Sequence, residues 1–154
     1  MRRKVIIEKR EIKPDPKYSS ILVRKLINKL MWDGKLRKAQ NMVYKAASSI
    51  EKDIKMSFDK ILLEALENIK PGIELRTRKI GGGKKRTIVK ISPTRDIIVA
   101  MQIIKNSVRN STSTRPTFQV LAEEIKGAYN KVGSAFKKRE SILKEAESSR
   151  VSAY

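Results

Sequence analysis

The spacing of apolar residues predicts three helices in the first half of the chain. In "ILVRKLINKLMW", which starts at Ile21, leucine, valine and isoleucine recur every three or four positions, as on one face of a helix. The same period runs from Ala39 to Ile50 and from Phe58 to Ile69, and Pro71-Gly72 ends the third segment. Serine residues that suit N-caps precede the first and third helices. The three helices are expected to pack together.

The period then changes from about 3.6 to 2 residues. "IELRTRKI", from Ile73, and "RTIVKI", from Arg86, alternate between two kinds of side chain, as strands do. The glycines at Gly81, Gly82 and Gly83 separate them, so a β-hairpin is predicted over residues 73–91. Because an isolated two-stranded hairpin is marginally stable in water, its outer part is expected to be mobile without a charged partner.

Helical spacing returns after the hairpin and predicts three further helices. Ser92-Pro93 suits the start of the fourth, with serine as N-cap and proline in the first turn. Its broad apolar stripe suggests the central helix of the fold. A fifth helix follows around Phe118 to Tyr129. The last starts at Ser134 and has little apolar content, so its far end is expected to project from the body.

These elements predict a mainly α fold, a six-helix body with one protruding basic β-hairpin between helices three and four. One domain over residues 1–154 is expected, because one core commonly serves about 100–200 residues. An extended basic N-terminal arm is predicted at residues 1–18, where two prolines disfavour helix, and a C-terminal helix and tail at residues 134–154.

Composition shifts the expectation toward a polyanionic partner. The chain has 36 Lys+Arg against 16 Asp+Glu, a formal net charge of +20, and such self-repulsion is tolerable mainly when a polyanion balances it. Residues 73–95 alone hold eight basic side chains and one acid, Glu74. An even spread of charge would indicate an ordinary solvated surface, whereas this clustering favours a nucleic-acid-binding face.

The glycine run does not fit a nucleotide-binding loop. The Walker pattern places a glycine five residues before a Gly-Lys-Ser/Thr triplet. With Gly83-Lys84 as the closing pair, Lys85 stands where the hydroxyl belongs and Arg78 where the first glycine belongs. A turn explains the glycines, since they adopt positive φ freely, but leaves the flanking basic residues unexplained. Contact with phosphates explains those residues.

Other candidate chemistry is weak. The chain has no cysteine or histidine, which excludes disulfides, zinc knuckles and imidazole catalysis, and neither an enzyme nor a cofactor is expected. The acid pairs Glu64/Glu67 and Glu123/Glu124 are expected to pair with lysines on helix surfaces. Trp32 is expected in the core or at an interface. No apolar run approaches the roughly 20 residues of a membrane span, so no membrane partner is expected.

Several motifs in consistent order are similar to those of a known family. They are "PDPKYSS", "LMWDGK", "AQNMVYKA", "ALENIKPGIELRTRKIGG", "SPTRDIIVAMQII" and "KKRESILKEAE". Together they cover nearly the full length, and the chain resembles the bacterial-type family of small ribosomal subunit protein seven.

The resemblance implies six helices with a hairpin that bind a multihelix junction in the 3′ domain of small-subunit ribosomal RNA. It implies that the protein nucleates assembly of the subunit head. It also implies that the hairpin and the C-terminal helix face the exit-site tRNA and the mRNA path, near platform protein eleven. A structural role in translation, without a cofactor, follows.

The resemblance also implies particular contact residues. Those expected on ribosomal RNA are Arg2, Arg3, Lys4, Arg10, Lys17, Lys29, Lys35, Arg76, Arg78, Lys79 and Arg95. Those expected to face tRNA or mRNA are Gly82, Gly83, Lys84, Lys85, Lys137, Lys138 and Arg139.

The chain departs from the family pattern in two places. The hairpin return "GGGKKRTIV" is more basic and lacks the usual proline, and "ILKEAESSRVSAY" replaces the usual histidine-containing ending. With the abundant lysine, isoleucine and asparagine, these departures favour the ribosome of an organelle, a mitochondrion or plastid, over the bacterial cytoplasm. The alternative function is an architectural protein that binds double-stranded DNA, with the basic β-arm in the minor groove.

Overall fold

The computed structural model describes residues 11–112 and 114–151, which form six helices and one antiparallel hairpin. The mainly α fold and the position of the hairpin between the third and fourth helices are as predicted. The elements are α1 (Ile21–Leu30), α2 (Leu36–Ile54), α3 (Phe58–Ile69), β1 (Ile73–Ile80), β2 (Gly83–Lys90), α4 (Pro93–Asn110), α5 (Thr117–Tyr129) and α6 (Ser134–Val151).

The core lies around α3, which contacts each of the other five helices. Phe58, Leu62 and Ile69 on this helix are fully buried, as the apolar spacing predicts. The expectation that α4 is the central helix is therefore wrong. The width of an apolar stripe reports how much surface a helix buries, whereas its place in the bundle depends on the paths of the other helices.

Serine residues precede three helices at N-cap positions with extended backbone, but none of their side chains makes a cap hydrogen bond; they are Ser20, Ser57 and Ser92. Carboxylates from other helices serve two helix starts instead. Glu51 of α2 accepts from the backbone N–H of Phe58 at 3.0 Å, and Glu124 of α5 accepts from the backbone N–H of Ala135 at 3.3 Å. A negative charge at a helix N-terminus is favourable, so these contacts fix α3 and α6 in place.

A buried aspartate holds the end of the predicted N-terminal arm against α2. Asp15 is 1% exposed, and its carboxylate accepts from the hydroxyl of Tyr44 at 2.9 Å and from the backbone N–H of Lys17 at 3.1 Å. Residues 16–18 form a turn rather than continuing the extended arm. The prolines restrict the local backbone. The burial of the Asp15 carboxylate depends instead on tertiary packing, which brings the hydroxyl of Tyr44 to it.

The hairpin turn consists of two glycines. Ile80 lies opposite Gly83 in the register, and between them Gly81 and Gly82 have φ angles of +57° and +86°. Two-residue hairpin turns of this kind require positive φ at both central positions, which glycine adopts without steric cost. The predicted role of the glycines as a turn is confirmed.

The C-terminal half of α6 packs against both strands of the hairpin. Ala146 is 3% exposed, and with Leu143 it lines a cleft of about 460 Å³ shared with Ile73 and Ile88. The expectation that the far end of this helix projects from the body is therefore wrong as far as Ala146, and residues 152–154 of the predicted tail lie outside the described part of the chain. A helix with few apolar side chains can still pack when a strand supplies the other half of the contact.

Among the described residues, no helix has the length and apolar character to span a bilayer.

Candidate nucleic-acid interface

The hairpin has two faces of different character. Because side chains alternate along a strand and directly paired residues share a face, the register divides the basic residues between the two faces. The face toward α6 carries Lys79 and Arg86, and Arg86 forms an ion pair with Glu145 of α6. The opposite face, called here the outer face, carries Glu74, Arg76 and Arg78. Adjacent residues of the predicted RNA-binding set therefore lie on opposite sides.

Glu74 joins the outer face to the start of α4. Its carboxylate accepts from Nε and Nη2 of Arg95 at 3.0 and 2.7 Å, and from Nε and Nη2 of Arg76 at 3.2 and 3.0 Å. The hydrogen bonds from Arg95, followed by those from Arg76, lower the pKa of Glu74 to about 2. Each guanidinium has five N–H donors and uses only Nε and Nη2 here, so both arginines keep donors for a phosphate.

Backbone contacts at the base of the hairpin fix this cluster. The N–H of Gly72 donates to the carboxylate of Asp96 at 3.0 Å, and the N–H of Ile91 donates to the carbonyl of Gly72 at 3.2 Å. The first turn of α4 and the start of β1 are thereby joined. Arg95, next to Asp96 in sequence, is held beside the strand that carries Arg76.

The backbone register pairs basic residues with each other near the tip of the hairpin. Arg78 pairs with Lys85 and Lys79 with Lys84 in the register, next to the turn at Gly82 and Gly83. Directly opposed like charges destabilise a hairpin by roughly 0.2–1 kcal/mol a pair. A polyanion would remove this repulsion. The contacts of the Lys84 and Lys85 side chains lie outside what the structure describes.

Lys17 and Lys35 each have a partner within the protein. The ammonium of Lys17 lies 5.2 Å from the ring centroids of both Tyr18 and Tyr44. Burial, and then the hydrogen bond to Asp15, raises the pKa of Tyr44 to about 12, so the phenol stays a neutral donor at physiological pH. Lys35 lies 3.5 Å from the carboxylate of Asp33. Both lysines are exposed, but neither belongs to the cluster around Glu74.

The predicted contact residues of α6 also differ from one another: two are exposed, and the third is bonded within the protein. Lys137 and Lys138 are exposed, and Lys138 lines a cleft between α6 and α4. Arg139 instead donates from Nε to the carbonyl of Lys70 at the end of α3, at 3.2 Å. The remaining predicted residues, Arg2, Arg3, Lys4 and Arg10, lie outside the described part of the chain.

A second basic cluster lies at the other end of α4 and consists of Lys29, Lys105 and Arg109. Of these residues, only Lys29 was among the predicted contact residues. Burial first, and then the nearby charges of Arg109 and Lys29, lower the pKa of Lys105. The guanidinium carbon of Arg109 lies 4.6 Å from the ring centroid of Trp32. Trp32 is 64% exposed, so of its two expected places the core is wrong, and a place at an interface stays a prediction.

A helix-face count would have found this second cluster. Arg95 and Arg109 are fourteen residues apart, nearly four turns, so they lie on similar sides of α4 and about 21 Å apart along its axis. Between them, Gln102 donates to Asn106 at 2.9 Å, which continues the polar stripe. This side of α4 therefore runs from the cluster around Glu74 to the second basic cluster beside Trp32.

Glu123 and Glu124, one of the two predicted acid pairs, have different partners within the protein. Glu123 forms an ion pair with Arg115, as surface pairing predicts, although the partner is an arginine from the preceding loop rather than a lysine on the same helix. Glu124 accepts from the hydroxyl of Ser134 at 2.7 Å at the start of α6, which corrects the prediction of surface pairing for this residue. Within the described residues, no three acidic, histidine or cysteine side chains form a group that could hold a metal ion.

Comparison with known proteins assigns the family. Residues 1–150 match the family model described as ribosomal protein S7p/S5e. The chain is 40% identical over 147 residues to small ribosomal subunit protein uS7 of Thermotoga neapolitana and to that of Thermotoga maritima, covering 96% of this chain and 94% of each relative. It is 41% identical over 146 residues to the protein of that name from Nitratiruptor sp., covering 94% and 93%. These relatives are bacterial and do not support the prediction that the protein belongs to the ribosome of an organelle. The chain therefore belongs to the ribosomal protein S7p/S5e family, whose members are structural proteins of the small ribosomal subunit.

Proposed function

We propose that this protein is a structural component of the small ribosomal subunit that binds the 3′ domain of small-subunit ribosomal RNA and nucleates assembly of the subunit head. The observation that carries the proposal is the joined cluster of Arg76 and Arg95 on Glu74, continued by the polar side of α4. Two guanidinium groups held on separate elements by one carboxylate are positioned before RNA arrives, which reduces the entropy lost on binding.

The outer face of the hairpin is the proposed rRNA contact, together with the N-terminal basic residues and Lys29. Phosphate contacts by lysine and arginine supply most of the affinity of such a protein and position it on a folded RNA, whose grooves are recognised by shape. Lys79 has a different environment, on the face toward α6, and Lys17 and Lys35 have partners within the protein. Their contribution to rRNA binding is proposed to be smaller.

The hairpin tip and the first half of α6 are proposed to face the exit-site tRNA and mRNA, near platform protein eleven. Gly82 to Lys85 and Lys137 to Arg139 are the residues concerned. The proposal is supported by the packing of α6 against both strands of the hairpin, which connects the elements that carry the two segments. Arg139 is proposed to act chiefly by fixing α6 to α3, because its Nε is already bonded to Lys70.

The test is a comparison of affinities at physiological salt for a folded multihelix RNA junction and for duplex DNA of matched length. The RNA is expected to bind more tightly, and Arg76→Gln is expected to lower the slope of log affinity against log salt by about one unit. Lys60→Gln, an exposed lysine on α3 in the least basic part of the chain, is the matched control and should leave the slope unchanged.

Equal or tighter binding to duplex DNA would contradict the ribosomal proposal and favour the architectural alternative. An unchanged slope for Arg76→Gln would remove that arginine from the interface while leaving the wider proposal in place.

A further inference from the structure

Trp32 is placed unusually for a large aromatic residue. It is the only tryptophan of the chain, lies just after α1, and exposes 64% of its surface. An aromatic ring this exposed contributes little buried area to the fold. One guanidinium, that of Arg109, lies 4.6 Å from its ring centroid, so the ring is part of a cation–π pair on the surface.

The cation on this ring belongs to a group of three basic side chains without an acidic partner among the described residues. Lys105 lies close enough to both Arg109 and Lys29 for their charges to act on it. In the described part of the chain, no carboxylate lies within ion-pair distance of Lys29, Lys105 or Arg109. The nearest acid in sequence, Asp33, lies 3.5 Å from Lys35. The surface around Trp32 is therefore suited to a negatively charged group.

A cleft opens beside the ring. Its volume is about 340 Å³, at the lower end of the roughly 300–1,000 Å³ typical of small-ligand clefts. Apolar side chains form part of its wall, among them Leu30, Met42 and Val108, whereas Ser111 and Thr117 supply hydroxyl groups. At one side lies Arg115, which is paired with Glu123. Apolar walls with a few hydrogen-bonding groups suit a planar heterocycle with polar edges.

We propose that Trp32, Arg109, Lys29 and Lys105 form a binding site for one unpaired nucleotide of RNA. The base stacks on the indole at the mouth of the cleft, and the adjoining phosphates lie against the lysines and the guanidinium. The inference rests on the proposed function, since it assigns a particular contact within an RNA interface. A duplex is excluded as occupant of the stacking position, because paired bases hide their faces in the helical stack.

Charge complementarity selects RNA over a protein segment as the occupant. An apolar protein anchor would fill the cleft but would leave Arg109 and the neighbouring Lys105 and Lys29 unpaired, at a desolvation cost. A nucleotide satisfies both requirements, because its base covers the aromatic ring and its phosphates neutralise the cations. Stacking is also tolerant of sequence, since every base has a π face.

The single tryptophan allows a direct measurement. The protein is titrated with short single-stranded oligoadenylate, with an RNA duplex of equal phosphate number, and with inorganic polyphosphate, while tryptophan fluorescence is recorded. Oligoadenylate is expected to quench Trp32 strongly, and the duplex and polyphosphate to bind with little quenching. Trp32→Leu is expected to weaken oligoadenylate binding, followed by anisotropy of a labelled strand, roughly five- to hundred-fold, and Trp32→Phe much less.

Charge variants test the phosphate part of the site. Arg109→Gln is expected to weaken both oligoadenylate and polyphosphate, whereas Lys131→Gln, an exposed cation beyond the far end of α5, should change neither. Circular dichroism should show folded protein for each variant, since all the substituted side chains are exposed.

The outcomes separate this inference from the proposed function. If oligoadenylate and a folded RNA junction both bind but Trp32 fluorescence and the Trp32→Leu affinity stay unchanged, the nucleotide site is wrong and the proposed function stands. If the junction fails to bind, both are wrong. Equal quenching by the duplex would overturn base stacking, and equal quenching by adenosine monophosphate at the same concentration would overturn RNA as the ligand.

Discussion

The two faces of the hairpin share one backbone and a similar number of charges, yet their environments differ. On the face toward α6, Ile73 and Ile88 line the cleft with Ala146, and Arg86 pairs with Glu145. On the outer face, the guanidinium of Arg76 donates to Glu74, which also accepts from Arg95 of α4. The difference is that α6 covers and pairs with one face of the hairpin, whereas the basic residues of the outer face are connected to α4 through Glu74.

This comparison also explains how a two-stranded sheet is supported here. A lone hairpin is marginally stable in water, and the register pairs basic residues with each other near its tip, a pairing that generally weakens a hairpin. The contact with α6 supplies burial on one face, and the ion pairs of Glu74 connect the other face to α4. The expected mobility of the outer part of the hairpin in the absence of a charged partner stays a prediction.

Ala146→Asp should have the largest effect, because it places a carboxylate among Ile73, Ile88 and Leu143 on the packed face. A buried charge without a partner is costly, and we expect the C-terminal half of α6 to separate from the hairpin, with a loss of about 2–4 kcal/mol in the free energy of unfolding. Urea denaturation measures the loss, and hydrogen exchange should show reduced protection in α6 and the hairpin. Ser141→Asp, exposed on the same helix, is the control. Equal losses would mean that the packed face does not support α6.

Arg78→Gln and Lys79→Gln should separate the faces functionally. The residues are adjacent, both are exposed, and each change removes one positive charge. If RNA binds the outer face, Arg78→Gln lowers the salt slope of RNA binding by about one unit, and Lys79→Gln leaves it nearly unchanged. Affinities measured over a range of salt concentrations give both slopes. The reverse result would place the RNA on the side of α6.

Glu74→Gln should have the smallest effect, and it should depend on pH. Because the pKa of folded Glu74 is lowered to about 2 from 4.5, its contribution to stability is present above about pH 4.5 and is lost as pH falls through about 2. We expect the variant to be less stable by about 1 kcal/mol at pH 7, since pairs near the surface are screened by solvent. Unfolding curves of the two proteins should converge by about pH 2. A constant difference across this range would assign the effect to packing instead of charge.

Much of the fold could be predicted from local pattern. Apolar spacing locates all six described helices, and the alternation at Ile73 with the glycine turn locates the hairpin. The predicted cap positions are correct, but hydrogen bonds to Phe58 and Ala135 come from Glu51 and Glu124. Those carboxylates lie on other helices, and no local spacing reveals such contacts.

The candidate site could be predicted less completely. Charge clustering identified Arg76 and Arg95, whose grouping the structure supports through Glu74. It did not separate Lys79 from Arg78, and it missed Arg109 beside Trp32. A count of charge along the sequence treats neighbours as one group, whereas a strand sends adjacent side chains to opposite faces.

The sequence by itself determined the helical periods, the two-glycine turn, the excess of positive charge and the family resemblance, because each depends on composition or on residues close in the chain. Only the tertiary structure decided which hairpin face is free, where Asp15 and Trp32 lie, and which cations share an acid. Those properties depend on contacts between residues far apart in sequence, such as Arg86 with Glu145 and Asp15 with Tyr44, which exist only when the helices have packed.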